Sequence, residues 1–166
     1  MKSHISHSLA ETEQIAKNWL VSISNTYANH DEALVVGLSG HLGAGKTAFT
    51  KIIAKILGVN EVVTSPTFVI MKMYEIEKGK EGKREEGKDW DESSQVEVPW
   101  KRLIHIDAYR LEKREELEVL EWEKLVADRN NLILIEWPEN VGLKEFESQA
   151  HLSFDSLDST YKVTIT

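Results

Sequence analysis

The sequence predicts an α/β fold with a mostly parallel central sheet, flanking helices and antiparallel additions. The first observation is the apolar, β-rich run Leu34–Leu38, which is typical of a strand buried on both faces. The second is the glycine-rich loop at residues 40–47, which follows this run directly. The third is the apolar spacing of 3, 4, 7 and 8 over residues 49–57, which predicts a helix with one buried face that stops at Gly58. The order of strand, loop and helix indicates a P-loop NTPase-like fold.

The glycine-rich loop matches the pattern GxxxxGK[ST]. Its residues are Gly40, His41, Leu42, Gly43, Ala44, Gly45, Lys46 and Thr47. Glycines let the backbone wrap tightly and point its N–H groups at phosphate oxygens. We expect Lys46 to reach the β and γ phosphates and the hydroxyl of Thr47 to bind Mg²⁺, while the next helix directs the positive end of its dipole at the phosphates. The motif therefore predicts a nucleoside triphosphate site.

The segment before this unit contains one predicted helix. Residues 8–11 read Ser-Leu-Ala-Glu, which matches a capping box, and apolar residues then recur at helical spacing to Ile23. His4 and His7 precede the box in a start that we expect to be flexible, and no histidine spacing in the chain demands a metal.

Two strands are predicted at 68–74 and 103–107, separated by a charged segment. Residues 78–92 contain 11 charged side chains and three glycines in 15 positions, so the segment has little to bury and we interpret it as a mobile, solvated insert. An alternative is a docking arm that presents Trp90 or Trp100.

The rest of the chain continues the same α/β pattern. A charged, helical stretch is predicted from 108 to about 125, with Leu117, Leu120 and Leu125 in the core. Residues 132–135 form a second continuous apolar run, which Pro138 terminates. Weak alternation in 151–166 predicts one or two further strands.

Two apolar runs end in an acid, Asp107 after the first and Glu136 after the second. Ligands of open α/β sheets collect beyond the carboxyl ends of the strands, where such acids can meet the Mg²⁺ that bridges phosphates. Asp107 resembles a Walker-B acid that binds the ion through water or orients the attacking water, and Glu136 is the candidate for closer metal contact. In the segment Thr64–Phe68, the hydroxyls can sense the γ-phosphate and Pro66 stiffens the loop.

Composition limits the class of protein. The 166 residues suit a single domain over 1–166, and the net charge of -8 disfavours a self-sufficient nucleic-acid surface. The lack of cysteine excludes disulfides and thiolate catalysis. No apolar stretch approaches 18 residues, and the start has no apolar signal region. We therefore expect a soluble, cytoplasmic protein without a membrane partner.

Four motifs together resemble the TsaE (YjeE) family of P-loop ATPases, over about residues 8–140. They are the phosphate loop at 40–47, Thr-Ser-Pro-Thr-Phe at 64–68, His-Ile-Asp-Ala-Tyr-Arg-Leu at 105–111 and Glu-Trp-Pro-Glu at 136–139. The resemblance implies the ATPase component of the bacterial machinery that makes threonylcarbamoyladenosine on tRNA. It would act with TsaD-like and TsaB-like proteins, contact tRNA only indirectly, and not be the transferase itself.

The resemblance also implies residue roles. Thr47 and Glu136 would coordinate Mg²⁺, with Asp107 as a further site carboxylate, and Lys46 and the loop amides would hold the phosphates of ATP. Residues 64–67, including Thr64 and Thr67, would form a switch-like segment, and Thr12 would lie near the nucleotide base. The chain departs from the family pattern at His41, where an acid is usual, in its longer charged segment and in its short tail.

Two other classes share a phosphate loop. A small-molecule P-loop kinase would need an acceptor pocket and usually an arginine-rich lid, but the sequence offers Arg110 as its main isolated candidate. A switch-type GTPase would ordinarily carry an Asn-Lys-x-Asp signature, which this sequence lacks.

Overall fold

The structure is a computed structural model that describes residues 2–77, 96–143, 150–157 and 160–165. The charged segment 78–92 and Trp90 lie outside the described residues. Ten regular elements occur in the described part. The helices are α1 (Leu9–Tyr27), α2 (Lys46–Ile56) and α3 (Trp122–Val126). The strands are β1 (Lys2–Ser6), β2 (Leu34–Gly40), β3 (Met71–Glu75), β4 (Arg102–Asp107), β5 (Asn131–Glu136), β6 (Ala150–Leu157) and β7 (Thr160–Ile165).

The strands form one sheet in the order β1-β7-β6-β2-β5-β4-β3. The four central strands, β6, β2, β5 and β4, run parallel to one another. The pairs β1·β7, β6·β7 and β3·β4 are antiparallel and extend the sheet at both sides. The predicted α/β architecture, with a parallel centre and antiparallel additions, is therefore confirmed. The carboxyl end of β2 lies between those of β5 and β6, so the phosphate loop begins in the middle of the sheet.

The sheet has a hydrophobic core on each face. Side chains alternate along a strand, so Leu132 and Leu134 pack under α1 and α2, whereas Ile133 and Ile135 pack on the opposite face. The opposite face is covered by α3 and by short 3-10 turns, with Leu117 fully buried. Helices thus flank the sheet on both sides, as a parallel sheet requires.

A local sequence signal accounts for the C-terminal end of the helix after the loop. Gly58 adopts a φ of 76°, and its N–H bonds to the carbonyl of Lys55 at 3.1 Å. The N–H of Val59 bonds back to the carbonyl of Ala54 at 3.0 Å. These two bonds form a Schellman motif, which satisfies carbonyls that the end of α2 would otherwise leave unpaired. The predicted stop at Gly58 is confirmed.

The start of α1 is capped as predicted, but the residues before it are not a loose tail. The Ser8 hydroxyl accepts the N–H of Glu11 at 3.2 Å, while the Glu11 carboxylate accepts the N–H of His7 at 2.7 Å. Upstream, β1 pairs antiparallel with β7, and His4 lies opposite Val163. The expectation of a flexible start was wrong because β1 finds its partner at the far end of the chain.

Three further predictions need correction. The strand predicted at 68–74 begins only at Met71, because Ile70 turns the backbone with a φ of 66°. The helical stretch predicted to about 125 divides into 3-10 turns at Ala108–Arg110 and Arg114–Leu120 and the short α3. Trp100 is 1% exposed in the core, so it cannot be presented by a docking arm.

Leu117 is in the core as predicted, whereas Leu120 and Leu125 are only partly buried against it. One or two strands are predicted in the tail, and the structure has two, β6 and β7. Within the described residues, no helix is long and apolar enough to cross a membrane.

Candidate functional site

The glycine-rich loop leaves β2 in a conformation that suits glycine. Gly40, Gly43 and Gly45 have φ values of 139°, 80° and 104°. A Cβ atom on Gly40 would lie 2.3 Å from the carbonyl oxygen of Phe154 on β6, so only glycine fits between the two strands. At Gly43 a Cβ would meet nothing within 4 Å, so there the backbone conformation alone favours glycine. The loop ends at Gly45, the N-terminal cap of α2.

Lys46 is folded back over the loop. Its ammonium nitrogen donates to the carbonyl of Gly40 at 2.7 Å and to that of His41 at 3.0 Å, and it lies 3.9 Å from the centroid of the Trp137 ring. Lys46 is 4% exposed. Burial lowers the pKa of Lys46, and the nearby carboxylates of Glu136, Glu139 and Asp107 oppose that shift. A buried cation whose hydrogen-bond partners are loop carbonyls is suited to an anionic ligand.

Thr47 joins the loop to the strand-end acid of the neighbouring strand. Its hydroxyl donates to Oε1 of Glu136 at 2.8 Å. Glu136 ends β5, which is hydrogen-bonded directly to β2, and the side chain is 3% exposed. The fully buried His105 contacts the same carboxylate oxygen through Nε2 at 2.8 Å. A hydroxyl and a carboxylate held at this distance, beside the glycine-rich loop, are oxygen groups that could together hold a Mg²⁺ ion.

Asp107 has different partners, although it lies directly beside Glu136. The two acids are register partners on β4 and β5. Oδ2 of Asp107 accepts the hydroxyls of Thr67 at 2.5 Å and Ser65 at 3.3 Å, and Oδ1 accepts the N–H of Tyr109 at 3.1 Å. Asp107 therefore ties segment 64–70 to the edge of the sheet where the phosphate loop lies.

Segment 64–70 is a compact turn. The N–H groups of Val69 and Ile70 both reach the carbonyl of Pro66, and the carbonyl of Ile70 accepts the N–H of Asp107 at 2.9 Å. Phe68 is 86% exposed, and the Arg110 guanidinium lies 4.6 Å from its ring centroid. Ile70 is β-branched at positive φ, a conformation that costs free energy, so surrounding contacts must hold it. These contacts make the turn a defined element beside the acids.

The loop, the acids and this turn surround one open cleft of about 370 Å³. Its lining includes Leu42, Gly43, Gly45, Lys46, Thr47, Ala48, Ser65, Thr67, Asp107, Tyr109, Glu136 and Trp137. The structure thus brings together most of the residues predicted for the site, including all three predicted metal ligands.

Other predicted residues lie elsewhere. Thr64 is exposed, and its hydroxyl accepts the ammonium of Lys72 rather than lining the cleft. Thr12 is buried on α1, where its hydroxyl bonds to Ser6 at 2.7 Å and to the Ser8 carbonyl. His41 exposes its side chain and offers its carbonyl to Lys46. The role of Thr12 near a nucleotide base stays a prediction.

Two aromatic side chains of the site, His105 and Trp137, have no predicted role. The histidine spacing indicates no metal site, yet His105 lies two residues before Asp107 on the same strand face and contacts Glu136. A polar residue inside an apolar strand, in phase with a strand-end acid, was the available signal. Trp137 adopts a φ of 57°, and its ring contacts both Lys46 and Tyr109.

The donor set fits a nucleotide with Mg²⁺. In the described ranges, no three His, Cys, Asp or Glu side chains form a metal cluster. Mg²⁺ at a nucleotide site takes only one or two carboxylates and completes its shell with phosphates and water, so Thr47 and Glu136, with Asp107 nearby, are sufficient. The bound ion would neutralise charge on the phosphates.

The comparisons with known proteins agree with these motifs. The family described as Threonylcarbamoyl adenosine biosynthesis protein TsaE matches residues 6–163. A relative from Streptomyces coelicolor, named tRNA threonylcarbamoyladenosine biosynthesis protein TsaE, is 33% identical over 80% of this chain and 78% of its own. Relatives of the same name from Treponema pallidum and Mycobacterium tuberculosis are 30% and 36% identical, covering 81% and 71% of this chain and 83% and 60% of theirs.

A solved structure shares the fold. The crystal structure of YdiB from Bacillus subtilis superposes with a TM-score of 0.58 at 23% identity, covering 99% of this chain and 83% of that one.

Proposed function

Because this chain belongs to the TsaE family, we propose that it binds ATP with Mg²⁺ and hydrolyses it as the ATPase component of the machinery that makes threonylcarbamoyladenosine on tRNA. The observation that carries the proposal is the 2.8 Å hydrogen bond from Thr47 to Glu136. It joins the first turn of α2 to the end of β5, and so supports a hydroxyl and a carboxylate as joint ligands for the ion of a bound nucleotide.

The phosphates would be held by the loop. The backbone N–H groups of the loop and the N-terminus of α2 supply donors and a favourable dipole. Lys46 would exchange its two carbonyl partners for phosphate oxygens by a movement of its side chain. Burial disfavours the charged form of Lys46. A phosphate anion beside its ammonium group would stabilise that charge more strongly than the two loop carbonyls do.

The acids would divide the hydrolytic work. Glu136, bonded to Thr47, would hold the ion, and Mg²⁺ would stabilise the charge that develops on the leaving phosphate. Asp107 holds the Thr67 hydroxyl, so it would position the attacking water together with segment 64–70. The hydroxyl groups of this segment can form hydrogen bonds with the γ-phosphate, so the arrangement of the segment would depend on whether that phosphate is present.

Partners would complete the site. Among the described residues that line the cleft, Lys46 is the only cation, and the guanidinium of Arg110 packs on Phe68. Without an arginine at the phosphates, hydrolysis by the isolated chain should be slow. TsaD-like and TsaB-like proteins would supply or order the missing elements in the cytoplasm. The net charge of -8 supports indirect rather than direct contact with tRNA.

The test is a reconstitution with each component omitted in turn. ATP hydrolysis and tRNA modification are measured with the chain, TsaD-like and TsaB-like proteins, and tRNA, with Glu136→Gln as the matched inactive variant. We expect the assembly to accelerate hydrolysis, and omission of this chain to stop repeated modification. Unchanged hydrolysis on adding the assembly, with full modification in the absence of this chain, would overturn the proposal and favour the kinase alternative.

A further inference from the structure

His105 is a buried polar side chain on β4, the strand next to one edge of the sheet. It is 0% exposed on β4, opposite Leu134 of β5 and Lys72 of β3. Its neighbours Ile104 and Ile106 belong to the apolar core of the other face. An imidazole in such a place costs free energy unless its polar atoms have partners, and an apolar residue would be cheaper. The contact that it makes must therefore account for a histidine at this position.

That group is Glu136. Nε2 of His105 lies 2.8 Å from Oε1 of Glu136, whereas Nδ1 is buried with no hydrogen-bond partner. A carboxylate oxygen accepts hydrogen bonds, so Nε2 must carry the proton. The contact therefore assigns the donor role to Nε2.

Two donors converge on one oxygen of Glu136. His105 approaches Oε1 from β4 and Thr47 approaches it from α2, each at 2.8 Å. In the part of the chain that the structure describes, both of these hydrogen bonds use Oε1. Hydrogen bonds from two rigid elements fix the plane of the carboxylate and leave Oε2 as the oxygen free for another ligand.

We infer that His105 is a positioning residue, which orients the Glu136 carboxylate for the cation of a bound nucleotide. This inference rests on the proposed function, because it gives Glu136 the role of metal ligand. His105 itself contacts neither nucleotide nor ion; it restricts the rotation of the group that does. Outer partners of metal ligands typically change metal affinity by about 10- to 100-fold when they are removed. We therefore expect removal of His105 to change the Mg²⁺ dependence of nucleotide binding and not the affinity of the loop for the phosphates.

The test compares two substitutions of nearly equal shape. His105→Gln keeps an N–H donor at a similar reach, and His105→Met removes the donor while filling similar volume. Binding of the non-hydrolysable analogue AMP-PNP is measured by calorimetry over a series of free Mg²⁺ concentrations and in excess EDTA. We expect His105→Met to raise the Mg²⁺ concentration for half-maximal effect by about 10- to 100-fold, and His105→Gln to stay within about threefold of the wild type. Affinity in EDTA should be the same in all three proteins.

The outcomes separate the inference from the proposed function. A Mg²⁺ dependence of His105→Met equal to that of the wild type would overturn the inference alone. Equal impairment of both variants would also overturn it, since it would show a requirement for imidazole shape and not for the donor. A wild-type protein that binds AMP-PNP without any response to Mg²⁺ would overturn both.

A measurement on the wild type keeps the inference testable if His105→Met does not fold. Nitrogen-15 NMR of the six histidines distinguishes the tautomers, with Glu136→Gln identifying the affected ring. We expect a protonated Nε2 for His105 and a change of its resonance when Mg²⁺ and AMP-PNP are added together, but not with AMP-PNP in EDTA. An unprotonated Nε2, or no response to the ion, would contradict the inference.

Discussion

Asp107 and Glu136 end adjacent parallel strands as direct register partners, yet their side chains hold different parts of the molecule. Glu136 accepts the Thr47 hydroxyl from the phosphate loop, and Asp107 accepts the Thr67 hydroxyl from segment 64–70. Burial lowers the pKa of Lys46, which lies near both acids, and the charges of the two carboxylates oppose that shift. Two neighbouring carboxylates repel each other unless donors and cations compensate. The site therefore couples the loop and the turn through one edge of the sheet.

The first prediction concerns Lys46. Replacing Lys46 with Ala should weaken ATP binding by roughly 10- to 150-fold, because hydrogen bonds to a charged group contribute about 1.5–3 kcal/mol. Calorimetric titration with ATP, on protein whose circular dichroism is unchanged, measures the loss. Lys51→Ala is the matched control, since Lys51 is an exposed lysine on the same helix. Near-normal affinity of Lys46→Ala would remove this residue from the nucleotide site.

Thr47 is tested with a pair of substitutions. Thr47→Val keeps the shape but loses the hydroxyl that bonds to Glu136, and Thr47→Ser keeps the hydroxyl. We expect Val to abolish most of the Mg²⁺ dependence of ATP binding and Ser to preserve it, because the proposed function makes the hydroxyl a ligand of the ion. Titrations of ATP with Mg²⁺ and with EDTA measure the difference. If Val and Ser behave alike, the hydroxyl does not bind the ion.

Asp107 should matter more for turnover than for binding. Asp107→Asn is expected to lower the rate of hydrolysis in the assembled complex by at least about 100-fold, the lower part of the range for a residue that handles a proton or water. The dissociation constant for ATP should change by less than about threefold, since the loop is intact. Single-turnover kinetics and equilibrium binding separate the two quantities. Parallel losses in both would instead show that Asp107 supports binding.

Gly40 and Gly43 should respond differently to alanine. At Gly40, an added Cβ meets the Phe154 carbonyl at 2.3 Å, so β2 and β6 must separate, and we expect a destabilisation of about 3 kcal/mol or more. At Gly43 the space is open, and only the positive φ opposes alanine, at about 1–2 kcal/mol. Urea unfolding of both variants tests this order. A Gly43→Ala variant that is the less stable of the two would contradict the close contact with β6.

Asp128 should make stability depend on pH. Its carboxylate accepts the N–H of Asn130 at 2.9 Å, the Asn130 amide and the Arg102 guanidinium, and these contacts lower the pKa of Asp128, the Asn130 backbone contributing most. Because the pKa of Asp128 is lower in the folded state, the ionised carboxylate stabilises the fold at pH values above the unfolded pKa of about 3.9. This stabilisation is lost as the pH falls through the folded pKa.

Asp128→Ala should therefore reduce the free energy of unfolding by about 1 kcal/mol at pH 7, and by less at pH 3. Urea unfolding at both values gives the comparison, with Asp155→Ala as an exposed control. A loss that is as large at pH 3 as at pH 7 would show that the charge of Asp128 is not what stabilises the turn.

The elements predicted well are those in which the cause is local. The phosphate loop, α2 and the stop at Gly58 depend on spacing and on backbone freedom within about 20 residues. The two strand-end acids were also predictable, because parallel strands that end in acids bring them to one edge of the sheet. The different hydrogen-bond partners of the two acids could not be predicted, since they depend on β5 rather than β4 lying next to β2.

The elements missed or mistaken depend on distant partners. β1 is a strand only because β7 pairs with it, and no local signal in residues 2–6 predicts that pairing. Ile70 begins no strand because the turn at Pro66 and the bond to Asp107 hold it at positive φ, against the preference of a β-branched residue. Trp100 follows a charged segment in the sequence, a context that suggests an exposed side chain, but it packs into the core.

Periodicity and short motifs are sufficient to predict the α/β class, the glycine-rich loop and two candidate acids. Which acid accepts the Thr47 hydroxyl, and that His105 contacts the same oxygen, could be seen only in the folded protein. A hydrogen bond between residues 31 or 89 positions apart depends on strand order and register. Those are set by the packing of the whole sheet and not by any segment of the chain.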